Sequence, residues 1–337
     1  MKQFCFNKGD DFLLDNNDII IKLKNSIYGL AIGDALGVPV EFKLRNTMDK
    51  KPVNEMRGFG TYLQPRGTWS DDTSMTLATL DALSQSKYDI RKVSANYLKW
   101  MLTGKFAINR FVFDIGNTTR KSLLKCIVTF NRKPASCGST AENSLGNGSL
   151  MRIIPVAFYL LDEENFEKRK QIIYDISGIT HGHIVCKVAC HFYVEFVINL
   201  IKNIPLNIAY KKTRIELNRY YKYTLPEKYF QQLRRIFDGT VIHVRRDEIE
   251  SNGYVVHTLE ASLWCLLNSK NYVSAVLTAV NLGRDTDTTA CVTGGIAGII
   301  YPDDIPEKWI SQLRGKNIIN KAISKYIKYS KKNNKEV

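Results

Sequence analysis

Gly67-Thr-Trp-Ser-Asp-Asp-Thr-Ser-Met75 and, far along the chain, Gly283-Arg-Asp-Thr-Asp-Thr-Thr-Ala290 are the two stretches that decide the fold and the chemistry of this sequence. Each places two carboxylates and several hydroxyls within a few residues and continues into an apolar segment compatible with a helix. Neighbouring carboxylates repel each other and are costly to bury unpaired, so a cation is expected between them. Oxygen ligands without histidine or cysteine suit Mg²⁺ or Mn²⁺ better than zinc. The two stretches therefore predict one site, closed by folding, that holds two divalent cations.

The same residues are also good helix N-caps, because Ser, Thr and Asp side chains accept hydrogen bonds from free backbone N–H groups. Helical geometry limits the alternatives, since residues two apart point in directions that differ by about 200°. Asp285 and Asp287 therefore cannot converge from the middle of a helix, but they can from a loop that enters one. Gly67 and Gly283 fit such loops. Capping and cation binding are compatible here.

Several blocks of the sequence together resemble the ADP-ribosylglycohydrolases. That family includes enzymes that remove ADP-ribose from arginine or serine, and the enzyme that reactivates dinitrogenase reductase. The resemblance covers residues 24–302, and one block alone would be weak, whereas these occur in the family's order. The blocks are Gly29-Leu-Ala-Ile-Gly-Asp-Ala-Leu-Gly37 with Glu41 after it, Trp69-Ser-Asp-Asp-Thr-Ser-Met75, Asp114-Ile-Gly-Asn-Thr-Thr119, Gly146-Asn-Gly-Ser-Leu-Met-Arg152, Thr180-His181, Gly253-Tyr-Val-Val-His-Thr-Leu-Glu260 and Gly283-Arg-Asp-Thr-Asp-Thr-Thr-Ala290.

The resemblance implies a compact, all-α, single-domain fold with a central binuclear metal cleft. Two Mg²⁺ or Mn²⁺ ions are expected, with Ser70, Asp71, Asp72, Asp285, Asp287 and Thr288 as ligands. The predicted catalytic residues are Asp72, Glu41 and Asp285, and the choice between Glu41 and Asp72 as the base stays open. The residues expected to bind ADP-ribose are Gly116, Gly146, Asn147, Gly148, Ser149 and His181.

Helical periodicity supports the fold class, because almost every regular segment favours a helix and none alternates convincingly over strand length. A helix is predicted over residues 19–37, where Gly29, Gly33 and Gly37 form a bare stripe. Glycine is costly inside a helix, so the stripe is expected to let another backbone approach closely. Asp34, within the stripe, is expected to be a buried hydrogen-bonding residue rather than a ligand. Pro39 then ends the helix and leaves Glu41 in a loop.

Gly146-Asn-Gly-Ser149 is the clearest phosphate-binding candidate, because two glycines allow close backbone approach and a helix is predicted from Leu150 onward. Cys186 and Cys190 lie one helical turn apart, but core-type residues surround them, so zinc binding is disfavoured. Residues 203–252 are charged, tyrosine-rich and poorly periodic apart from a predicted helix near Lys228–Phe237, and they are a candidate for the rim that contacts a modified protein.

Composition excludes several classes of protein. The 337 residues are 44% hydrophobic, enough for a sizeable core, and no uninterrupted apolar run predicts a membrane span. Seven scattered cysteines without a Cys-x-x-Cys pair favour the reducing cytoplasm. The net charge of +15 is concentrated near the C-terminus and no nucleic-acid motif accompanies it, so an acidic partner protein or a pyrophosphate is the expected target. Residues 1–18 are expected to be an extension, either disordered or a docking arm, before a domain at 19–305 and a basic helix or tail at 306–337.

The predicted function is hydrolysis of the bond between ADP-ribose and a modified side chain, arginine above all, by a monomer. Two alternatives stay open: a binding protein that gives immunity against an ADP-ribosylating toxin, and a hydrolase of a small ADP-ribosyl metabolite. Arg284, beside two predicted metal carboxylates, is expected to pair with one of them or to reach the substrate, and it leaves the leaving-group preference open.

Overall fold

The regular elements of the described residues are helices. The structure is a computed structural model that describes residues 15–85, 87–129 and 132–333, and within these ranges it contains isolated β-bridges but no strand. The predicted all-α class is therefore confirmed. The α-helices of the described residues are α1 (Asn16–Gly37), α2 (Arg45–Lys50), α3 (Asp71–Leu83), α4 (Ile90–Thr103), α5 (Asn117–Val128), α6 (Ile154–Tyr159), α7 (Phe166–Gly178), α8 (Ile184–Ile201), α9 (Leu206–Thr224), α10 (Glu227–Gln232), α11 (Arg234–Asp238), α12 (Val255–Leu267), α13 (Tyr272–Val280), α14 (Thr286–Ile300), α15 (Glu307–Gln312) and α16 (Lys316–Asn333).

Helices α1 and α14 form the closest helix pair of the molecule, and the predicted glycine stripe explains their approach. A Cβ added to Gly29 would lie 2.4 Å from the carbonyl oxygen of Gly294. A Cβ added to Gly33 would lie 2.1 Å from the carbonyl oxygen of Ala290. Both distances are far below van der Waals contact, so only glycine fits. The expectation of close backbone packing along this stripe is confirmed.

The last glycine of the stripe places the start of α14. A Cβ on Gly37 would lie 2.3 Å from the Cα of Asp287, in the first turn of α14. The hydroxyl of Thr286 also donates to the carbonyl of Gly37 (2.8 Å). As predicted, the chain then leaves the helix: a 3₁₀ turn over Val38–Val40 contains Pro39, and Glu41 follows in a loop.

Helix α8 lies in the core. By length and composition it could cross a membrane, but 89% of its apolar window is buried inside the molecule, as expected of a core helix. Helix α16 is amphipathic and packs against α3 and α1 through Ile319, Ala322, Ile323 and Tyr326. Helix α1 begins at Asn16, where the Asp15 side chain accepts a hydrogen bond from Asn17. Most of the predicted N-terminal extension lies outside the described residues.

Three local expectations were wrong. Residues 206–224 form the long helix α9, whose buried face includes Tyr210, Thr213 and Tyr221, so its periodicity is hidden among polar residue types. The helix expected from Leu150 begins only at Ile154, because the carbonyl of Asn147 accepts from the backbone N–H groups of Leu150 and Met151 and forms a turn. A disulfide joins Cys126 and Cys137, two of the seven cysteines whose spacing suggested no pairing. The cytoplasmic location stays a prediction.

Gly33→Val tests the α1–α14 contact. We expect a loss of about 3 kcal/mol or more in the free energy of unfolding, because the new side chain meets backbone that cannot move aside. Urea denaturation followed by circular dichroism would measure it. Gly116→Ala is the control, since its Cβ would meet its nearest atom at 3.9 Å, and its stability should change by less than about 0.5 kcal/mol. Equal midpoints for Gly33→Val and the unmodified protein would contradict the close contact.

Candidate functional site

The first turn of α3 is fixed by a buried carboxylate of α1. Ser70 is the N-cap of α3, and Asp71 and Asp72 occupy its first turn. Asp34 accepts hydrogen bonds from the backbone N–H groups of Ser70 (2.9 Å) and Thr73 (3.1 Å) and from the Thr73 hydroxyl (2.6 Å). As expected, Asp34 is a buried hydrogen-bonding residue, and its contacts orient the Ser-Asp-Asp-Thr turn.

The first turn of α14 meets that of α3. Asp285 is the N-cap of α14, and Asp287 and Thr288 lie in its first turn, so the two aspartates converge at the entrance of a helix, as expected, rather than in its interior. The hydroxyls of Ser70 (3.0 Å) and Thr288 (3.4 Å) both donate to Oδ2 of Asp72. The two sequence clusters therefore converge, and these hydrogen bonds join them directly.

The carboxylates form two adjoining groups. Oxygen atoms of Asp34, Asp72 and Asp287 lie within 4.8 Å of one another, and so do those of Glu41, Asp285 and Asp287. Asp287 belongs to both groups. Each group is compact enough to hold a cation, and the shared residue places the two groups side by side.

Two residues that the sequence did not assign complete the site. The hydroxyl of Tyr62 donates to Asp114 (3.0 Å), and the charge of Asp114 also acts on Asp71 and Glu41. Asp114 is the first residue of the block Asp114–Thr119, which resembles the family, and this position was the feature of the sequence that could have indicated a role for it. Tyr62 lies in an irregular segment and had no such signal.

The electrostatics of the site call for cations. Burial, together with the charges of neighbouring carboxylates, raises the pKa of Asp71, Asp72 and Asp287 well above the usual value. Burial and the charges of Asp285 and Asp114 raise the pKa of Glu41 to about 9. Burial raises the pKa of Asp34 to about 6, and the hydrogen bonds that its carboxylate accepts from Thr73 and Ser70 limit this rise.

No ion pair in the described part of the chain neutralises these carboxylates, which are Asp34, Glu41, Asp71, Asp72, Asp114, Asp285 and Asp287. Three buried oxygens have no hydrogen-bond donor: Oε2 of Glu41, Oδ1 of Asp72 and Oδ1 of Asp285. Unpartnered buried anionic oxygens are costly, and hard divalent cations are the partners that fit them. The residues present therefore suit a metal site.

Arg284 does not supply the missing positive charge. Its guanidinium pairs with Glu250 (3.2 Å), and both side chains are about half exposed. Its own backbone is held by the loop after Glu41: Phe42 donates to the Arg284 carbonyl and Arg284 donates to the Lys43 carbonyl, both at 2.6 Å. The expected pairing of Arg284 with a metal carboxylate is therefore wrong.

The predicted phosphate-binding residues lie together beside this carboxylate site. The amide of Asn147 donates to Asp285 (2.9 Å) and to the Thr258 hydroxyl (2.8 Å), which ties the loop to α14. A Cβ on Gly146 would lie 3.2 Å from Nε2 of His181, and one on Gly148 would lie 2.8 Å from Cε1 of the same ring. Gly146, Asn147, Gly148 and His181 thus form one wall in which two glycines are required.

Gly116 and Ser149 occupy different surroundings. Gly116 is the N-cap of α5 and packs near Thr119, whose hydroxyl lies 3.2 Å from the Cβ position of Gly148. The structure therefore brings Gly116 to the same wall. The side chain of Ser149 instead points into the core, where it accepts hydrogen bonds from Ser177 (3.0 Å) and Cys190 (3.4 Å). A ligand beside this wall could therefore contact the main chain of Ser149 but not its side chain.

A chain of buried hydrogen bonds fixes the protonation of His181. Nη2 of Arg152 donates to the Thr180 hydroxyl (2.6 Å), and that hydroxyl lies 2.8 Å from Nδ1 of His181. Arginine can only donate, and Nδ1 of His181 is the only acceptor found for the Thr180 hydroxyl among the described residues, so the hydroxyl gives its own proton to Nδ1. Nε2 of His181 then carries the ring proton and faces the glycine wall. Burial, with the nearby charge of Arg152, lowers the pKa of His181 to about 3, so the ring is neutral.

A comparison with known proteins identifies the family to which this chain belongs. A family model described as ADP-ribosylglycohydrolase matches residues 15–336. The chain belongs to the ADP-ribosylglycohydrolase family. The protein is therefore a hydrolase of a glycosidic bond to ADP-ribose, as the resemblance implied.

Individual relatives span most of this ADP-ribosylglycohydrolase. ADP-ribosylarginine hydrolase Tri1 of Serratia proteamaculans is 32% identical over 303 residues, 89% of this chain and 77% of that protein. The ADP-ribosyl-(dinitrogen reductase) glycohydrolase of Rhodospirillum rubrum is 27% identical over 295 residues, 85% of this chain and 87% of that protein. A solved structure of an ADP-ribosylglycohydrolase-related protein complex superposes with a TM-score of 0.74 at 27% identity, covering 92% of this chain and 98% of that one.

The raised carboxylate pKa values predict how pH and Mg²⁺ affect stability. A carboxyl with a raised pKa holds its proton more tightly in the folded state, so its contribution to stability falls as pH rises from about 4. In chelator, the melting temperature should therefore fall between pH 5.5 and 8.5. Added Mg²⁺ should raise it more at pH 8.5, because the cation replaces protons that are then absent. Differential scanning fluorimetry measures both effects.

Asp287→Asn is the matched control for this pH dependence, because it removes the shared carboxylate and conserves shape. We expect a smaller fall in chelator and almost no Mg²⁺ effect. A Mg²⁺-induced shift of the same size in Asp287→Asn and in the unmodified ADP-ribosylglycohydrolase would contradict the assigned cluster.

Thr180→Val tests the hydrogen-bond chain to His181. The substitution removes both the acceptor of Arg152 and the donor to Nδ1, so the neutral ring should no longer be held in one tautomer. Long-range ¹H–¹⁵N spectra would show this directly, and ADP-ribose should bind about three- to tenfold more weakly, the value of one hydrogen bond. Thr180→Ser keeps the hydroxyl and should behave as the unmodified protein. A single Nε2–H tautomer in Thr180→Val would show that the chain does not set it.

Proposed function

We propose that this ADP-ribosylglycohydrolase removes ADP-ribose from arginine side chains of proteins, with two Mg²⁺ or Mn²⁺ ions bound by the carboxylate site. The observation that carries the proposal is the convergence of the α3 and α14 entrances, with three buried oxygens left without a donor. Relatives at 32% identity that are named ADP-ribosylarginine hydrolases support arginine as the modified residue.

The proposed ligands are Ser70, Asp71, Asp72, Asp285, Asp287 and Thr288. Asp287 has the central place among them, since it belongs to both carboxylate groups. When bound, the cations supply the positive charge that offsets these side chains and orients the ribose hydroxyls and a water beside the anomeric carbon.

The protein's own groups then act on the substrate. Asn147 and the glycine wall hold the nucleotide end, where His181 offers Nε2–H as a donor. When the glycosidic bond breaks, its electron pair stays on the arginine nitrogen and positive charge develops on the anomeric carbon, where the surrounding carboxylates stabilise it. Water forms the new C–O bond, and the proton it loses is passed through the base to the departing guanidine, which leaves as a guanidinium.

Of the two candidate bases, the structure favours Glu41 as the acceptor of the water's proton. Oδ2 of Asp72 already accepts from Ser70 and Thr288, and Asp72 is more deeply buried. Glu41 lies in a loop, and its Oε2 has no hydrogen-bond donor, so this oxygen is free to accept a proton.

A release assay with Mg²⁺ tests the proposal, using substrates modified at arginine, serine or glutamate. We expect release from arginine. Glu41→Gln should lower turnover at least about 100-fold, because the proton acceptor is lost, yet keep most of the Mg²⁺-dependent rise in melting temperature. Asp287→Ala should lose both turnover and that rise, since it removes the residue that both carboxylate groups share.

Other outcomes would change the assignment. Release from serine alone would keep the enzyme and replace the substrate. Full turnover in Glu41→Gln would return the base to Asp72, and full turnover in Asp287→Ala would contradict the metal site itself.

A further inference from the structure

Four large apolar side chains are exposed on segments that adjoin the carboxylate site. Phe42 follows Glu41, and Phe111 lies three residues before Asp114. Phe59 and Leu63 flank the Gly60–Tyr62 turn, whose Thr61 hydroxyl donates to the Glu41 carbonyl (2.8 Å). Phe42 is 65% exposed, Phe59 63%, Leu63 74% and Phe111 57%. These four residues are called the apolar rim. Exposed apolar residues scattered singly over a surface need no explanation, so their arrangement is what matters.

The rim is continuous with the carboxylate site. The ring centroid of Phe42 lies 6.4 Å from that of Tyr62, Tyr62 lies 5.1 Å from Phe113, and Phe113 lies 6.3 Å from Phe111. Tyr62 donates its hydroxyl to Asp114, so the centre of this aromatic row is joined to a carboxylate of the site. The aromatic row therefore adjoins the carboxylate site.

The fold holds three rim residues outward in an unfavourable backbone conformation. Phe42 (φ 67°), Phe59 (φ 64°) and Leu63 (φ 55°) lie in the left-handed region that side chains other than those of Gly, Asn and Asp avoid. Hydrogen bonds keep them there, including the one from Phe42 to the carbonyl of Arg284. Glycine would form the same turns without strain and without an exposed apolar group. Such retained strain is typical of positions that serve binding.

Positive charge accompanies the rim. Lys43 follows Phe42, Arg110 precedes Phe111, and Arg66 lies just after the Leu63 turn; all three are exposed. None of these three side chains forms a hydrogen bond or ion pair within the described residues. Apolar and cationic side chains on an open surface complement acidic and apolar side chains of a polypeptide. They do not form the enclosed slot that a nucleotide base requires, and a small metabolite could not cover them.

We propose that the apolar rim, with its three neighbouring cations, is the docking surface for the polypeptide that carries the ADP-ribosyl group. That polypeptide presents apolar and acidic side chains around the modified arginine. The inference rests on the proposed function and adds the class of its substrate: a protein surface of stated character rather than a free metabolite.

Three defined substrates with the same scissile bond test the docking surface. They are free ADP-ribosylarginine, an ADP-ribosylarginine peptide flanked by Leu, Asp and Glu, and one of equal length flanked by Gly, Ser and Lys. The unmodified enzyme should cleave the acidic apolar peptide with a kcat/KM at least tenfold above that of the other peptide. Leu63→Asn, which suits the left-handed backbone, combined with Phe111→Ser should remove most of this preference through KM. Free ADP-ribosylarginine should be cleaved as before.

Two further variants make the result specific. Arg66→Glu should weaken cleavage of the acidic apolar peptide several-fold and leave free ADP-ribosylarginine unaffected, and it tests the surface without touching an apolar residue. Ile21→Asn is the matched control, because Ile21 is 50% exposed near the start of α1, about 24 Å along the helix from Gly37 and the site. It should leave all three rates unchanged.

Each other result overturns the inference. Equal rates for both peptides, or an unchanged preference in the rim variants, would reject docking while hydrolysis of free ADP-ribosylarginine kept the proposed function. A dimer in sedimentation that the rim variants dissociate, with unchanged peptide rates, would make the rim a contact between copies of this chain. No hydrolysis of any arginine substrate would remove the proposed function and this inference together.

Discussion

Helices α1 and α14 meet backbone against backbone, since a glycine on one helix faces the main chain of the other along their contact, and this contact positions the rest of the site. Gly37 touches the main chain of Asp287, so the entrance of α14 cannot move relative to the end of α1. Asp34, on the same helix, holds the entrance of α3. One glycine-lined contact therefore determines where the acidic entrances of α3 and α14 meet, although more than 200 residues separate them in the sequence.

Electrostatic repulsion opposes this arrangement, and local dipoles counter part of it. Asp72 and Asp287 lie in first turns, where unpaired N–H groups and the helix dipole favour negative charge. Hydroxyl and amide donors from Ser70, Thr288 and Asn147 stabilise individual oxygens. Oε2 of Glu41, Oδ1 of Asp72 and Oδ1 of Asp285 remain without a donor. The fold thus keeps its carboxylates close without neutralising them, which leaves that work to a bound cation.

Local signals in the sequence predicted the all-helical class, the α1 stripe and the two helix entrances, because glycine spacing and capping residues act over a few positions. Tyr62 could not be assigned, since its contact with Asp114 depends on the path of two irregular segments that only tertiary packing defines. Helix α9 was missed because tyrosine and threonine fill its buried face. The turn after Asn147 was missed because a helix and a turn share the same residue types there. Asp114 had a signal in its matching block, but its role needed coordinates.

The contacts of Asp34 have a consequence for ion selectivity. The carboxylate oxygens of Asp34 accept hydrogen bonds from the start of α3, the segment that carries Ser70 and Asp72. In the proposed metal site, these hydrogen bonds would hold the turn in place before an ion binds, so little conformational entropy would be lost on coordination. Ca²⁺ takes longer bonds and more ligands than Mg²⁺, so it would have to pull Asp72 away from the hydroxyls that hold it, and the proposed site would favour the smaller ion.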